Sequence, residues 1–357
     1  MFFSVIIPVY NVEPYLAECL DSLTAQDYSN VAFVIVDDGS TDRSGEICET
    51  YARKDNRFRV YHIPNGGVSA ARNYGLALVP PPTEFVLFID PDDYLLKTTV
   101  FSELADYLGA NSTDLLLFAY RTTVDKTDRL SYSQHPDIPY VLDSQEKIAE
   151  YLYPSLIFGH RIGGRSISGS LWRGVFNMEI VRKNQLTFRE DIYKAEDWCF
   201  YSDYLLHCHR VHLSDNIYYN YRVRSSSAMT SWVMPSLSGV EKSLSILEHI
   251  RVNAEKMLCL DQRIVKAYFG TRYVTSAVKY IETLCDRRCP LSFREIHRRA
   301  AEILRHSELT ENIRKHKTSG RNLKSSVEYM LVRYRLTSCL IAYGRLYSLI
   351  RACKSCC

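Results

Sequence analysis

Along the first ninety residues, apolar and polar positions fall in alternating blocks. Phe3 to Val9 is an apolar run rich in β-branched residues that turns polar at Asn11. Tyr15, Leu16, Cys19, Leu20 and Leu23 then recur at helical spacing between Pro14 and Ala25. Val31 to Val36 repeats the strand pattern and stops at Asp37-Asp38-Gly39-Ser40, where Ser40 or Thr41 is placed to cap a helix running to Ala52. Phe58 to His62 predicts a third strand, Val68 to Leu78 a third helix and Glu84 to Ile89 a fourth strand. This alternation argues for an α/β fold with a largely parallel, helix-covered sheet.

The pattern loosens between about Leu115 and Tyr221. Strands are predicted at Leu115 to Tyr120 and Ile217 to Arg222, helices at Trp172 to Lys183 and Trp198 to Leu206, and a glycine-rich loop at Gly159 to Gly169. After Pro235, Val240, Leu244, Leu247 and Ile250, then Val265, Tyr268 and Phe269, then Phe293, Ile296, Ile303 and Leu304 recur at helical spacing, which predicts a helical C-terminal region.

Composition narrows the class. Hydrophobic residues at 46% and charged residues at 24% describe a folded globular chain. The 26 tyrosines suit sugar-facing clefts and membrane interfaces, although packing explains most such excesses. The eleven cysteines lack paired zinc spacing, so reduced thiols are expected. The first residues read as a strand and not a signal peptide, and no run approaches the roughly 18 apolar residues of a spanning helix, so a cytoplasmic location is expected. The net charge of +3 is concentrated in residues 321–357, where seven basic residues face Glu328 alone. A basic tail of this kind does not imply nucleic-acid binding.

The most informative chemistry lies at Phe88-Ile89-Asp90-Pro91-Asp92-Asp93-Tyr94, where an apolar strand ends in three carboxylates. Strand ends of open α/β sheets carry ligand sites, and alternation sends Asp90 and Asp92 to one side, where they can share a hard cation and the phosphates it carries. Three further motifs precede it in order: S-V-I-I-P-V-Y-N at 4–11, V-D-D-G-S-T-D at 36–42 and N-G-G-V-S-A-A-R-N-Y-G at 65–75. Together the four closely resemble the family 2 inverting glycosyltransferases of GT-A fold, over roughly residues 3–230.

The resemblance implies a Rossmann-like nucleotide-diphospho-sugar transferase fold with a mixed, mostly parallel sheet. Residues 1–115 would form its nucleotide-sugar half, 116–235 its acceptor half and 236–357 a helical region with a basic amphipathic tail. By motif match, Pro8, Val9 and Tyr10 would contact the nucleotide, Glu13 the ribose and Asp38 the uracil ring. Asp38 also has a helix-capping alternative, and Asp37 a loop-ordering one. Arg72 would fork onto phosphate, with a surface arginine as the alternative. Asp90 would reach the ribose or the metal-bound diphosphate and Asp92 would ligate Mn²⁺ or Mg²⁺, with Asp93 as support.

On the acceptor side, S-L-W-R-G-V-F-N-M-E-I-V at 170–181 and L-T-F-R-E-D-I-Y-K-A-E-D-W-C-F at 186–200 resemble the family segment that carries an acidic pair before a helix. Asp197 would be the general base, with Glu196 as runner-up. Arg222 and Arg224, in Y-N-Y-R-V-R-S-S-S at 219–227, would clamp the leaving diphosphate or else decorate an edge strand. His207, His209 and His212 read as a polar helix face.

The implied function is transfer of a sugar from a UDP-sugar to a glycan or lipid-linked acceptor in cell-surface polysaccharide synthesis, a hexosyltransferase reaction. The alternative is a silent nucleotide-sugar-binding subunit that anchors a partner enzyme. A nucleotide-binding oxidoreductase is disfavoured because no G-x-G-x-x-G follows the first strand. The tail supports two readings, a peripheral contact with an anionic inner membrane face or a helix packed on the enzyme or on a second copy.

Overall fold

The structure is a computed structural model that describes all residues except 125–129, 133–134, 163, 193, 224–235, 258, 287, 307–308, 312–329 and 355–357. These residues divide into two compact units, Met1–Thr230 and Ser231–Cys357.

Unit 1 is built on one ten-stranded sheet. Its strands are β1 (Phe3–Val9), β2 (Val31–Asp37), β3 (Phe58–His62), β4 (Phe85–Phe88), β5 (Tyr94–Leu95), β6 (Leu115–Val124), β7 (Leu130–Tyr132), β8 (Val141–Leu142), β9 (Gly174–Asn177) and β10 (Val211–Val223). The path runs β3-β2-β1-β4-β9-β6-β10-β5, with β7 paired to β6 and β8 to β10. β1 lies parallel between β2 and β4, and every residue in β1 and β2 is buried. A parallel sheet covered on both faces requires this, which is why these strands read as apolar runs rather than alternating ones.

The covering helices follow from equally local signals. α1 (Glu13–Thr24) carries Pro14 in its first turn and buries Leu16, Cys19, Leu20 and Leu23. α2 (Ser44–Lys54) starts later than the caps expected at Ser40 or Thr41, because Asp42 Oδ1 accepts from Ser44 N (2.9 Å). α3 (Val68–Leu78) packs close to β1 at Gly75, where a Cβ would lie 2.6 Å from Ile6 Cγ2. α4 (Val100–Ala110) follows β5, and two short helices, α5 (Gln145–Lys147) and α6 (Tyr153–Leu156), flank a π-helical turn at Ile148–Leu152.

The helix expected over Trp172 to Lys183 is only half present. Leu171–Arg173 is a 3₁₀ turn, Gly174–Asn177 is β9, and the helix begins at α7 (Met178–Lys183) with Asn177 Oδ1 accepting from Glu179 N (2.9 Å). β9 enters antiparallel between β4 and β6. Val175 and Phe176 satisfy a helical period equally well, but here they fill the slot that β4 and β6 leave open, and both are fully buried. His212 also departs from the expected helix face, since it is buried in β10 and its Nδ1 pairs with Tyr107 OH (2.7 Å). α8 (Glu196–Leu205) completes the unit.

Many tyrosines serve packing. Tyr153, Tyr201, Tyr204 and Tyr219 are among the largest fully buried side chains, and Trp172 stacks on Tyr219 with ring centroids 4.5 Å apart.

Unit 2 is helical. α9 (Leu237–Lys256), α10 (Gln262–Leu284) and α11 (Phe293–Arg305) start at side-chain caps on Ser236, Asp261 and Ser292, respectively. A last helix spans Thr337–Lys354. Leu340 and Ile341 on it are buried, and Gly344 sits where a Cβ would come 3.3 Å from Cys285 Sγ of the turn after α10. The glycine that interrupts the apolar stripe therefore permits close helix packing, so this part of the basic tail is a packing element. The rest of the tail, from Arg321 to residue 329, lies outside the described residues, as do residues 355–357. No helix among the described residues is long and apolar enough to cross a membrane.

Candidate active site

The ends of β1, β2 and β4 and the start of α8 carry the candidate residues. β1 ends at Val9; Pro8 and Val9 are buried, and Tyr10, 51% exposed, is the residue of this trio that presents a side chain to solvent. Asn11 follows in the left-handed region (φ 47°), which asparagine tolerates better than most residues. Its Oδ1 accepts from Thr41 N (2.8 Å), clamping the loop after β2, a role the sequence reading had not assigned. Glu13 is drawn to the same loop, where its Oε2 accepts from Arg43 N (3.1 Å).

At the end of β2, Asp38 is 3% exposed and both its carboxylate oxygens are engaged. Gly66 N donates to Oδ1 (2.7 Å) and Gly67 N to Oδ2 (2.8 Å). Asp38 therefore orders the 65–67 loop and does not cap α2. Asp37 acts nearby, with Oδ1 accepting from Ser40 N (3.1 Å) and Oδ2 pairing with His62 Nδ1 (2.7 Å). His62 Nε2 faces Glu49 Oε1 (3.1 Å), and the Asp37 bond, outweighing burial and helped by Glu49, raises the imidazole above its ordinary pKa.

The aspartate cluster after β4 divides by burial. Asp93 is 1% exposed, with Tyr219 OH donating to Oδ2 (2.8 Å) and Arg222 N to Oδ1 (2.7 Å). Burial and the charges of Asp90 and Asp92 push it up to about 9, against those two donors. Asp93 ties the acidic turn to β10, which is a supporting role beside Asp90 and Asp92. The Arg222 side chain is likewise committed elsewhere, ion-paired to Glu18 and packed over the rings of Tyr15 and Tyr94. These contacts belong to the edge-strand alternative, and Arg224 lies outside the described residues.

Asp90 and Asp92 remain partly exposed. Burial pushes Asp90 up to about 6, with Arg72 opposing and Asp92 and Glu196 adding to the rise. No group of three or more metal-ligating side chains exists among the described residues. Mn²⁺ and Mg²⁺ nonetheless take one or two carboxylates together with waters and substrate phosphates, so two crowded, partly exposed aspartates are a suitable hard-oxygen donor set.

Arg72 gathers the remaining acids. It is 3% exposed; Nη1 donates to Glu196 Oε1 (3.0 Å) and Asp197 Oδ1 (2.9 Å), and Nη2 to Asp90 Oδ1 (3.3 Å). It is neither a surface arginine nor an open phosphate fork. Asp197 Oδ2 accepts from Leu171 N (3.2 Å). Burial pushes Asp197 up to about 7, with Glu196 and Asp90 adding to the rise and Arg72 opposing it. Ala195, immediately before the pair, holds a left-handed backbone (φ 65°), a conformation unfavourable to alanine that aims Glu196 and Asp197 at Arg72.

The family profile described as "Glycosyl transferase family 2" matches residues 4–169. The chain carries a family 2 glycosyltransferase domain. Among similar curated proteins is the uncharacterized glycosyltransferase EpsJ of Bacillus subtilis (strain 168), 33% identical over 225 residues, covering 63% of this chain and 62% of EpsJ. The chain thus spans less than two thirds of that relative. The glycosyltransferase GlyG of Streptococcus pneumoniae is 29% identical over 251 residues, covering 68% of this chain and 79% of GlyG. Among solved structures, residues 1–349 of Staphylococcus aureus TarS in complex with UDP-GlcNAc superpose with a TM-score of 0.62 at 22% identity, covering 94% of this chain and 92% of that one. That likeness gives the glycosyltransferase domain its GT-A fold.

Proposed function

We propose that the protein is an inverting glycosyltransferase that moves a sugar from a UDP-sugar to an acceptor hydroxyl on a growing or lipid-linked cell-surface glycan. The observation that carries this reading is the meeting of Asp90, from the end of β4, with Glu196 and Asp197, from the start of α8, on one guanidinium. A single displacement needs a donor anchor and an acceptor base within a few ångströms of the same carbon, and two segments more than a hundred residues apart are folded together here to that effect.

Asp197 accepts the proton of the acceptor hydroxyl, and its elevated pKa suits a base working near neutrality. The acceptor oxygen attacks the anomeric carbon from the face opposite UDP. As the new C–O bond forms, the bond to the β-phosphate oxygen breaks and its electron pair leaves with UDP, inverting the configuration. Tyr10 and the Asn65-Gly66-Gly67 loop held by Asp38 border the nucleotide. Asp90 and Asp92 would hold Mn²⁺ or Mg²⁺, which offsets charge on the leaving diphosphate.

The UDP donor class is supported by the TarS complexes with UDP and UDP-GlcNAc; TarS itself is named for transfer to poly(ribitol-phosphate), a polyol-phosphate polymer that offers an acceptor hydroxyl. The test is UDP release from a panel of UDP-sugars with Mn²⁺, repeated with Asp92→Asn. Metal-dependent turnover and metal-assisted UDP affinity are expected to be lost in the variant. Unchanged turnover would remove Asp92 from the mechanism.

A further inference from the structure

Arg72 is a buried cation whose bonds run in three directions. Nη1 is shared between Glu196 and Asp197, Nη2 reaches Asp90, and the Phe188 ring covers the guanidinium at 5.4 Å. Its Nε is buried and has no hydrogen-bond partner among the described residues. Asp197 is held at both oxygens, by Arg72 from α3 and by the backbone of Leu171 from the turn before β9. α8 supplies no side-chain cap of its own at this end.

We propose that Arg72 is a positioning residue for the reaction: it fixes the rotamer of Asp197 and ties it to Asp90, and does not bind the donor phosphates. This rests on the reading of Asp197 as the base. A phosphate could claim the guanidinium only by displacing carboxylates that would then be left buried and unpaired, which is strongly unfavourable. Arginine offers a rigid planar fork whose donors sit on separate nitrogens, whereas the three donors of a lysine radiate from one nitrogen on a flexible stem and cannot span the same set of carboxylates in fixed geometry.

A double-mutant cycle separates the roles. Arg72→Lys is expected to lower kcat by about tenfold or more while donor KM and the UDP dissociation constant stay within about twofold of wild type. In an Asp197→Asn background the same change is expected to cost little, because the residue it acts through is already disabled. Loss of UDP affinity in step with kcat would make Arg72 a donor ligand, and a full tenfold loss in both backgrounds would uncouple it from Asp197; either result overturns the proposal. Asp197→Asn alone reports on the base: full turnover in that variant sinks the base assignment, whatever Arg72→Lys does. A crystal structure of the wild-type protein with UDP and Mn²⁺ is independent of variant folding. Arg72 is expected to keep its contacts with Glu196 and Asp197, and a guanidinium turned onto the diphosphate would refute the inference.

Discussion

Asp197 shows how burial can bring an ordinary carboxyl into the range that the proposed base needs at neutral pH. Removal from water raises it to about 7, and Glu196 and Asp90 add to that rise while Arg72 restrains it. A base acts only when ionised, so transfer should climb as pH rises through about 7 and fall on the acid side. Asp197→Asn should lower turnover by roughly a hundredfold or more and abolish that limb while leaving UDP affinity near wild type, as read by steady-state assays and UDP titration. Equal loss of UDP affinity would make Asp197 a donor-site residue. The Glu196-Asp197 pair and the Asp90-Asp92 pair could be picked out from the sequence because each closes a local motif. The bonds of Arg72 could not, since its partners lie 18, 124 and 125 residues away and no short-range pattern encodes them. The internal bonds of Asp38 and Asp93 were not legible for a related reason: a motif identifies an aspartate, but only the fold decides which of the protein's own donors its oxygens meet.

At the level of elements, the junction of β2, β3 and α2 is closed by a histidine between two carboxylates. His62 can donate from both ring nitrogens to Asp37 and Glu49 only as imidazolium. Its folded pKa is raised above the unfolded value of about 6.5, so the stabilisation is fully present below about pH 6.5 and is lost as pH rises through the folded value. The gap in thermal midpoint between wild type and His62→Gln should therefore narrow on going from about pH 6 to about pH 9. A gap independent of pH would show that the ring stays neutral. The parallel strands and their helices were legible because doubly covered strands must be apolar throughout and amphipathic helices must repeat every three or four residues. β9 was not legible, because a four-residue buried strand flanked by helical turns carries no period of its own.

Across the whole molecule, unit 1 holds every candidate site residue described, and unit 2 is helical. The basic tail reads in the sequence as a membrane anchor or a packing helix, and at Leu340 and Ile341 it packs. Removing residues 337–357 should expose the surfaces now covered by Leu340 and Ile341, each worth about 1.5–3 kcal/mol when buried. Thermal melts and limited proteolysis should show unit 2 destabilised while UDP titration is unchanged. Full stability after the truncation would reopen the membrane reading for this helix.

The reversed strand β9 also restricts how such an enzyme can be rebuilt from parts. It is hydrogen-bonded on one side to β4, the last long strand of the proposed nucleotide half, and on the other to β6, where the proposed acceptor half begins. A chimaera cut between the halves near residue 115 would therefore import a foreign seam strand against a resident β4, and both would have to match in register. Grafts that exchange only the stretch between β6 and the turn at Leu171 leave that seam in place, so they do not ask β4, β9 and β6 to refit.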